Sequence, residues 1–238
     1  MNVGDIMSDA LVYPFNNIKA LVIFIILGII AAIIGGSALF ALMGSVSTQG
    51  GFNFALGGVS LAGFIVFILL LFLIEGYALD IIKFGIEKRA DGPGIDFGRQ
   101  IGNAIKLIIV NIVYYIVPSI IVFILGIFLR DWILTIISLI LFLVFALAHF
   151  MAKCRLAKSD SLGESLAIGE AIGDISRVGL GKLLATVIVI IIMAALILFI
   201  VGIISNFNNI IGSILLGIVV VYIIFFYNRA IGLLYSEI

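Results

Sequence analysis

Long uncharged runs dominate the chain. Residues 20–74, 107–129 and 183–228 carry no Asp, Glu, Lys, Arg or His, and 132–152 carry only His149. The runs are continuously apolar rather than alternating, which predicts helices and not the strands of a membrane barrel. A helix needs about 20 residues to cross the hydrocarbon core of a bilayer. The runs 107–129 and 132–152 are therefore one span each. Each longer run holds two spans, divided by Ser47-Thr48-Gln49-Gly50-Gly51 in one case and by Ser205-Asn206-Phe207-Asn208-Asn209 in the other. The expectation is an all-α polytopic transmembrane helical bundle, one membrane domain over 1–238. Its spans lie near 20–44, 58–80, 106–129, 132–152, 182–204 and 210–230.

Between the spans the period changes. Val3, Ile6, Met7, Ala10, Leu11, Pro14, Phe15 and Ile18 recur at three-and-four spacing, with Asp5, Ser8, Asp9 and Asn16 elsewhere. That predicts an interfacial amphipathic helix within 1–19, broken near Pro14. Asp91-Gly92-Pro93-Gly94 is a turn, after which Phe97, Ile101 and Ile105 lead helically into span three. Ser161 and Glu164 have capping-box spacing. Ile168, Ala171, Ile172 and Ile175 then share one face, and Glu170, Asp174 and Arg177 another. Odd spans open on Lys19, Lys106 and Lys182, and even spans leave through Glu75-Gly76-Tyr77, His149-Phe150 and Tyr227-Asn228-Arg229. Two readings fit: three copies of an interfacial helix plus a transmembrane hairpin, or the Lys and aromatic residues that mark membrane boundaries in general.

Short motifs run through the same segments. They are Ala10 with Tyr13-Pro14-Phe15 ahead of Lys19, then Gly76-Tyr77, then Gly92-Pro93 with Ile95-Asp96-Phe97, then Gly102, Lys106, Tyr114 or Tyr115, and Pro118. On these residues the chain resembles an archaeal membrane family, domain of unknown function 4013. The similarity covers most of the chain and is sharpest over its first half. It implies a multi-span membrane protein of archaeal source, and it brings no catalytic or binding residues to carry over.

Composition agrees with the pattern. Of 238 residues, 64% are apolar and 11% charged, against roughly half and a quarter in soluble domains. Net charge is zero, which leaves no basic field for nucleic acid. A cleaved signal peptide is not expected, because no basic segment precedes a first apolar run that is itself too long. With six spans the loops fall into two sets. One set carries Lys19, Lys83, Lys88, Arg89, Arg99, Lys106, Lys153, Arg155, Lys158, Arg177, Lys182 and Arg229; the other carries only Arg130. The positive-inside rule then puts both termini in the cytoplasm of a multi-pass cell-membrane protein.

Few residues could carry chemistry. Glu75 stands out, because a carboxylate in or beside a span is costly and often functional. Its expected partners are Lys106, His149, Lys153 and Arg229, as an ion-pair cluster, a proton or cation site, or a single structural pair. His149 has no Cys or carboxylate at i+3 or i+4, so it reads as a hydrogen-bonding residue, and no metal is expected. Asn111, Tyr115 and Ser119 form a polar stripe beside Pro118, which reads as a cavity-lining face or as a kink bonded to its neighbours. Gly28, Ala32 and Gly36 make a small-residue face for close helix contact, within the bundle or with a protein partner or second copy. Membrane lipids are the other partners. Arg130-Asp131-Trp132 reads as an outer turn with Trp132 as an interface anchor. No phosphate loop, dinucleotide motif, nucleophile elbow or zinc pattern occurs, so neither enzyme activity nor a cofactor is expected. The readings in order are a non-catalytic membrane scaffold or complex subunit, then a transporter or channel for a small or hydrophobic solute.

Overall fold

The computed structural model describes residues 1–46, 54–129 and 131–238. The chain begins with α1 (Val3–Val12) and a 3-10 turn (Tyr13–Asn17). It continues through α2 (Ile18–Val46), α3 (Phe54–Ile86), α4 (Phe97–Phe128), α5 (Asp131–Ser159), α6 (Leu162–Ser165), α7 (Ile168–Val178), α8 (Leu180–Phe207) and α9 (Asn209–Tyr235). Among the described residues there is no strand, and six helices are long and apolar enough to cross a membrane. They mark the chain as a multi-pass membrane protein. The polar break at 47–51 and Arg130 of the outer turn lie outside the described residues.

The helices overrun the uncharged stretches at the Lys- and Arg-rich end. Spans expected to stop near 80 and 152 continue to Ile86 in α3 and Ser159 in α5. Lys and Arg stems lie along a helix while their heads reach water or a partner, so charge alone does not end a helix. The breaks fall instead at backbone reversals: Lys88 at φ +53°, Asp160 at φ +58° and Gly179 at φ +94°. Gly179 separates α7 from α8 in a conformation that favours glycine. At the opposite end Asn208 closes the α8–α9 turn, its side-chain oxygen accepting from Ile210 and Ile211 N–H at 3.0 and 3.1 Å.

Helices α2, α3 and α9 pack together, α4 lies against α3 and α5, and α8 rests chiefly on α9. The core sits at the basic end, where Tyr77, Ile81, Ile82, Met151, Leu156, Ile231 and Leu234 are buried. Towards the other end Phe123, Phe128, Trp132, Phe199 and Phe207 are exposed, as side chains facing lipid are. Two glycines permit the closest approaches. A Cβ on Gly76 would lie 1.8 Å from the Gln100 carbonyl oxygen where α3 meets α4. One on Gly28 would lie 2.7 Å from the Gly217 carbonyl oxygen where α2 meets α9.

The amphipathic segments dock on this core. Helix α1 starts with a capping box between Asn2 and Asp5 and buries Ile6, Met7 and Ala10 against α9. Ser161 accepts from Glu164 N–H, yet the helix it caps, α6, is a single turn, and α7 restarts at Ile168. The face of α7 also differs from the expected one: Asp174 is buried with Ala171 and Ile175, while Ile172 is exposed. Three donors on Asp174, described below, offset the cost of burying its charge.

Candidate functional site

The polar residues of the spans gather where α3, α4, α5 and α9 converge at the basic end. His149 on α5 is buried, and its Nε2 stands 2.6 Å from Asn111 Oδ1 on α4. With that oxygen as acceptor, Nε2 carries the proton. The rings of Tyr114 and Tyr115 lie 5.9 and 5.6 Å from the imidazole. One turn further along α5, Lys153 is nearly fully buried and its Nζ donates to Tyr227 Oη on α9 at 3.1 Å. The same Nζ is 5.8 Å from the centre of that ring; the ammonium meets the phenol oxygen in line with the ring rather than over its face. Glu75 on α3 is half-buried and acts electrostatically on both Lys153 and Tyr227. Among the described residues no hydrogen bond or ion pair within 4 Å reaches its carboxylate.

The partners expected for Glu75 therefore divide. Lys153 stays with it. Lys106 turns away to Asp160, 2.6 Å from Nζ to Oδ1. Arg229 belongs to a separate cluster: Nε and Nη2 donate to Asp9 at 2.7 and 3.3 Å, and Nη1 donates to the carbonyls of Phe84 and Arg89 at 3.0 and 2.7 Å. The guanidinium carbon lies 4.1 Å from the centre of the Tyr13 ring. A fully buried cation with every nitrogen bonded is a tie between α1, α3 and α9. The stripe Asn111, Tyr115, Ser119 is also divided. Asn111 is bonded to His149, Tyr115 and Ser119 are exposed, and Ser119 Oγ donates to the Tyr115 carbonyl at 2.7 Å. Helix α4 runs on through Pro118.

Two further ion-pair centres were hidden in the sequence among ordinary loop charges. Asp80 accepts from Arg99 Nη2 at 3.0 Å and from Asn103 Nδ2 at 3.1 Å. Asp174, 1% exposed, accepts from Arg155 at 3.1 Å, Arg177 at 2.8 Å and Tyr235 at 2.8 Å. Arg155, Lys158 and Arg177 line a cavity of about 200 Å³ over Asp174, but Glu164 and Asp174 share its wall, so its field is mixed. Gln100 is fully buried, and neither amide atom has a partner among the described residues. Among the described residues no three His, Cys, Asp or Glu side chains gather as metal ligands would. The small-residue face divides too. Gly28 is packed on Gly217, and Ala32 borders an apolar cavity of about 190 Å³ with Ala31, Phe67 and Ile74. Gly36 is exposed, with nothing near its Cβ position.

The model of one family, described as Protein of unknown function (DUF4013), matches residues 61–207. The chain belongs to that family. The matched stretch holds Glu75, Asn111, Tyr115, His149 and Lys153, whereas Asp9 and Arg229 lie outside it. No curated protein and no solved structure matches the chain.

Proposed function

We propose that this family member is a non-catalytic membrane scaffold or complex subunit, seated in the cell membrane with both termini in the cytoplasm. One observation carries the reading. Four pairs of polar side chains at the basic end bond helices of the same chain to one another, in separate clusters: Asn111 with His149, Lys153 with Tyr227, Asp80 with Arg99, and Arg229 with Asp9. Groups bonded this way hold helices in place. His149 has one ring nitrogen engaged by Asn111, and the Cys154 thiol is buried against the Ile231 carbonyl, which supports a non-catalytic role. The excess of Lys and Arg on one set of loops supports the orientation. A partner helix or a second copy would meet α2 at its exposed Gly36 end.

The alternative, a transporter or channel for a small or hydrophobic solute, has one observation in its favour. The Glu75 carboxylate stands near the buried Lys153 ammonium without closing an ion pair on it, and an intramembrane carboxylate left open can take up a proton or cation. Proton flux separates the two readings. Liposomes holding the purified protein, loaded with a pH-sensitive dye, are expected to dissipate a pH step no faster than empty ones. Dissipation that Glu75→Gln abolishes, with the unfolding midpoint unchanged, would replace the scaffold reading by the transport one.

A further inference from the structure

The three ion-pair centres share a layout. Asp80, on α3 as it leaves the membrane, pairs with Arg99, in the first turn of α4 itself. Arg155, on α5 as it leaves, pairs with Asp174 on α7, the amphipathic helix that leads into α8. Arg229, on α9 as it leaves, pairs with Asp9 on α1, the amphipathic helix that leads into α2. Each returning span is thus bonded to the start of the next hairpin unit, at α1 and α7 through an amphipathic helix and at α4 through its first turn, and the last unit is bonded to the first. Packing follows the same order: α3 against α4, α5 against α7, α9 against α1, with α3, α5 and α9 also touching one another.

We infer that the chain is a ring of three hairpin units, closed at its basic end by three ion pairs that act as one cooperative latch. The first joint has its charges exchanged, acid on the returning span and base at the start of the next unit, and an ion pair is indifferent to that exchange. Two joints link units that are consecutive in the chain. The third, Asp9 with Arg229, spans 220 residues and closes the ring without a covalent connection.

Cys154 is a built-in reporter. It is fully buried on α5, and its thiol lies 3.8 Å from the Ile231 carbonyl of α9. Helix α9 is thus held to α1 through Arg229 and to α5 beside Cys154. If the joints form one latch, opening any of them lets α9 move away from α5. The experiment is the rate of Cys154 alkylation by N-ethylmaleimide in lipid, well below the unfolding midpoint of each variant. Asp9→Asn opens the closing joint, and Arg99→Gln opens the first joint from its exposed partner. Both are expected to raise the rate at least tenfold, and Asp9→Glu to restore protection. A rise in Asp9→Asn alone would mean local undocking of α1, and a rise in neither would mean three independent struts; either result overturns the ring.

Discussion

At the scale of single residues, two kinds of position decide the packing. Arg229 spends its whole guanidinium on fixed acceptors, a geometry that lysine cannot reproduce. Gly76 acts by what it lacks. Its neighbour across the α3–α4 crossing is the Gln100 backbone, which cannot give way as a flexible side chain could. Gly76→Ala should therefore force the two helices apart and lower stability by about 1–3 kcal/mol, the usual range for overpacking. Gly36→Ala, where nothing lies near the added carbon, should be neutral or stabilising by up to about 1 kcal/mol through helix propensity. Unfolding midpoints in detergent measure both, and equal midpoints for the two variants would contradict the packing at Gly76. The bare sequence points the other way: Gly36 sits among small residues and Gly76 between Glu75 and Tyr77, and only the neighbour supplied by the tertiary fold shows which of them packs closely.

At the scale of elements, the segment between α3 and α4 is held from several sides. Tyr13 Oη donates to the Asp91 carbonyl at 3.1 Å, and Tyr77 Oη and Asn17 Nδ2 donate to the Pro93 carbonyl at 3.0 and 3.2 Å. The motif residues Tyr13, Tyr77 and Gly92-Pro93 thereby acquire a common purpose: they fix how α4 starts relative to α3. The hydrogen bonds from the Arg89 guanidinium to Asp91 hold that carboxyl below the usual carboxylate range. A depressed acid contributes stability above its unfolded value, about 3.9, and loses it as pH falls through the lower folded value. The Arg89–Asp91 contribution to holding the segment should consequently be lost below about pH 4, and Asp91→Asn should remove that part of the dependence. Hydrogen exchange at residues 87–96, normalised to unfolded rates, reads it; a transition near neutral pH would contradict it. The elements themselves were legible in the sequence, because apolar period and charge placement are local. The docked α1 and the Pro14 break were legible for the same reason. The face of α7 was not: Asp174 looked solvent-facing on helical spacing, and its donors Arg155 and Tyr235 come from elsewhere in the chain.

At the scale of the whole molecule, the bundle is uneven from end to end. Its basic end holds the buried core and the three ion-pair centres, and its other end presents exposed Phe, Ile and Leu. The sequence foretold this asymmetry as a bias of Lys and Arg between loops, but it could not foretell that most of those cations are paired. Lys106 with Asp160, Arg99 with Asp80, Arg155 with Asp174 and Lys182 with Glu237 are all ion pairs. Pairing does not weaken the proposed orientation, since the positive-inside rule counts Lys and Arg near the span ends rather than net charge. The orientation is testable with single thiols in a Cys154→Ala background. Asn209, exposed at the α8–α9 turn, and Glu87, exposed beyond α3, lie at opposite ends of the spans. A membrane-impermeant maleimide added to intact cells should label Asn209→Cys and should reach Glu87→Cys only after permeabilisation. The reverse result would invert the molecule, and with it the placement of all three latching pairs, moving them from the cytoplasmic face to the outer one.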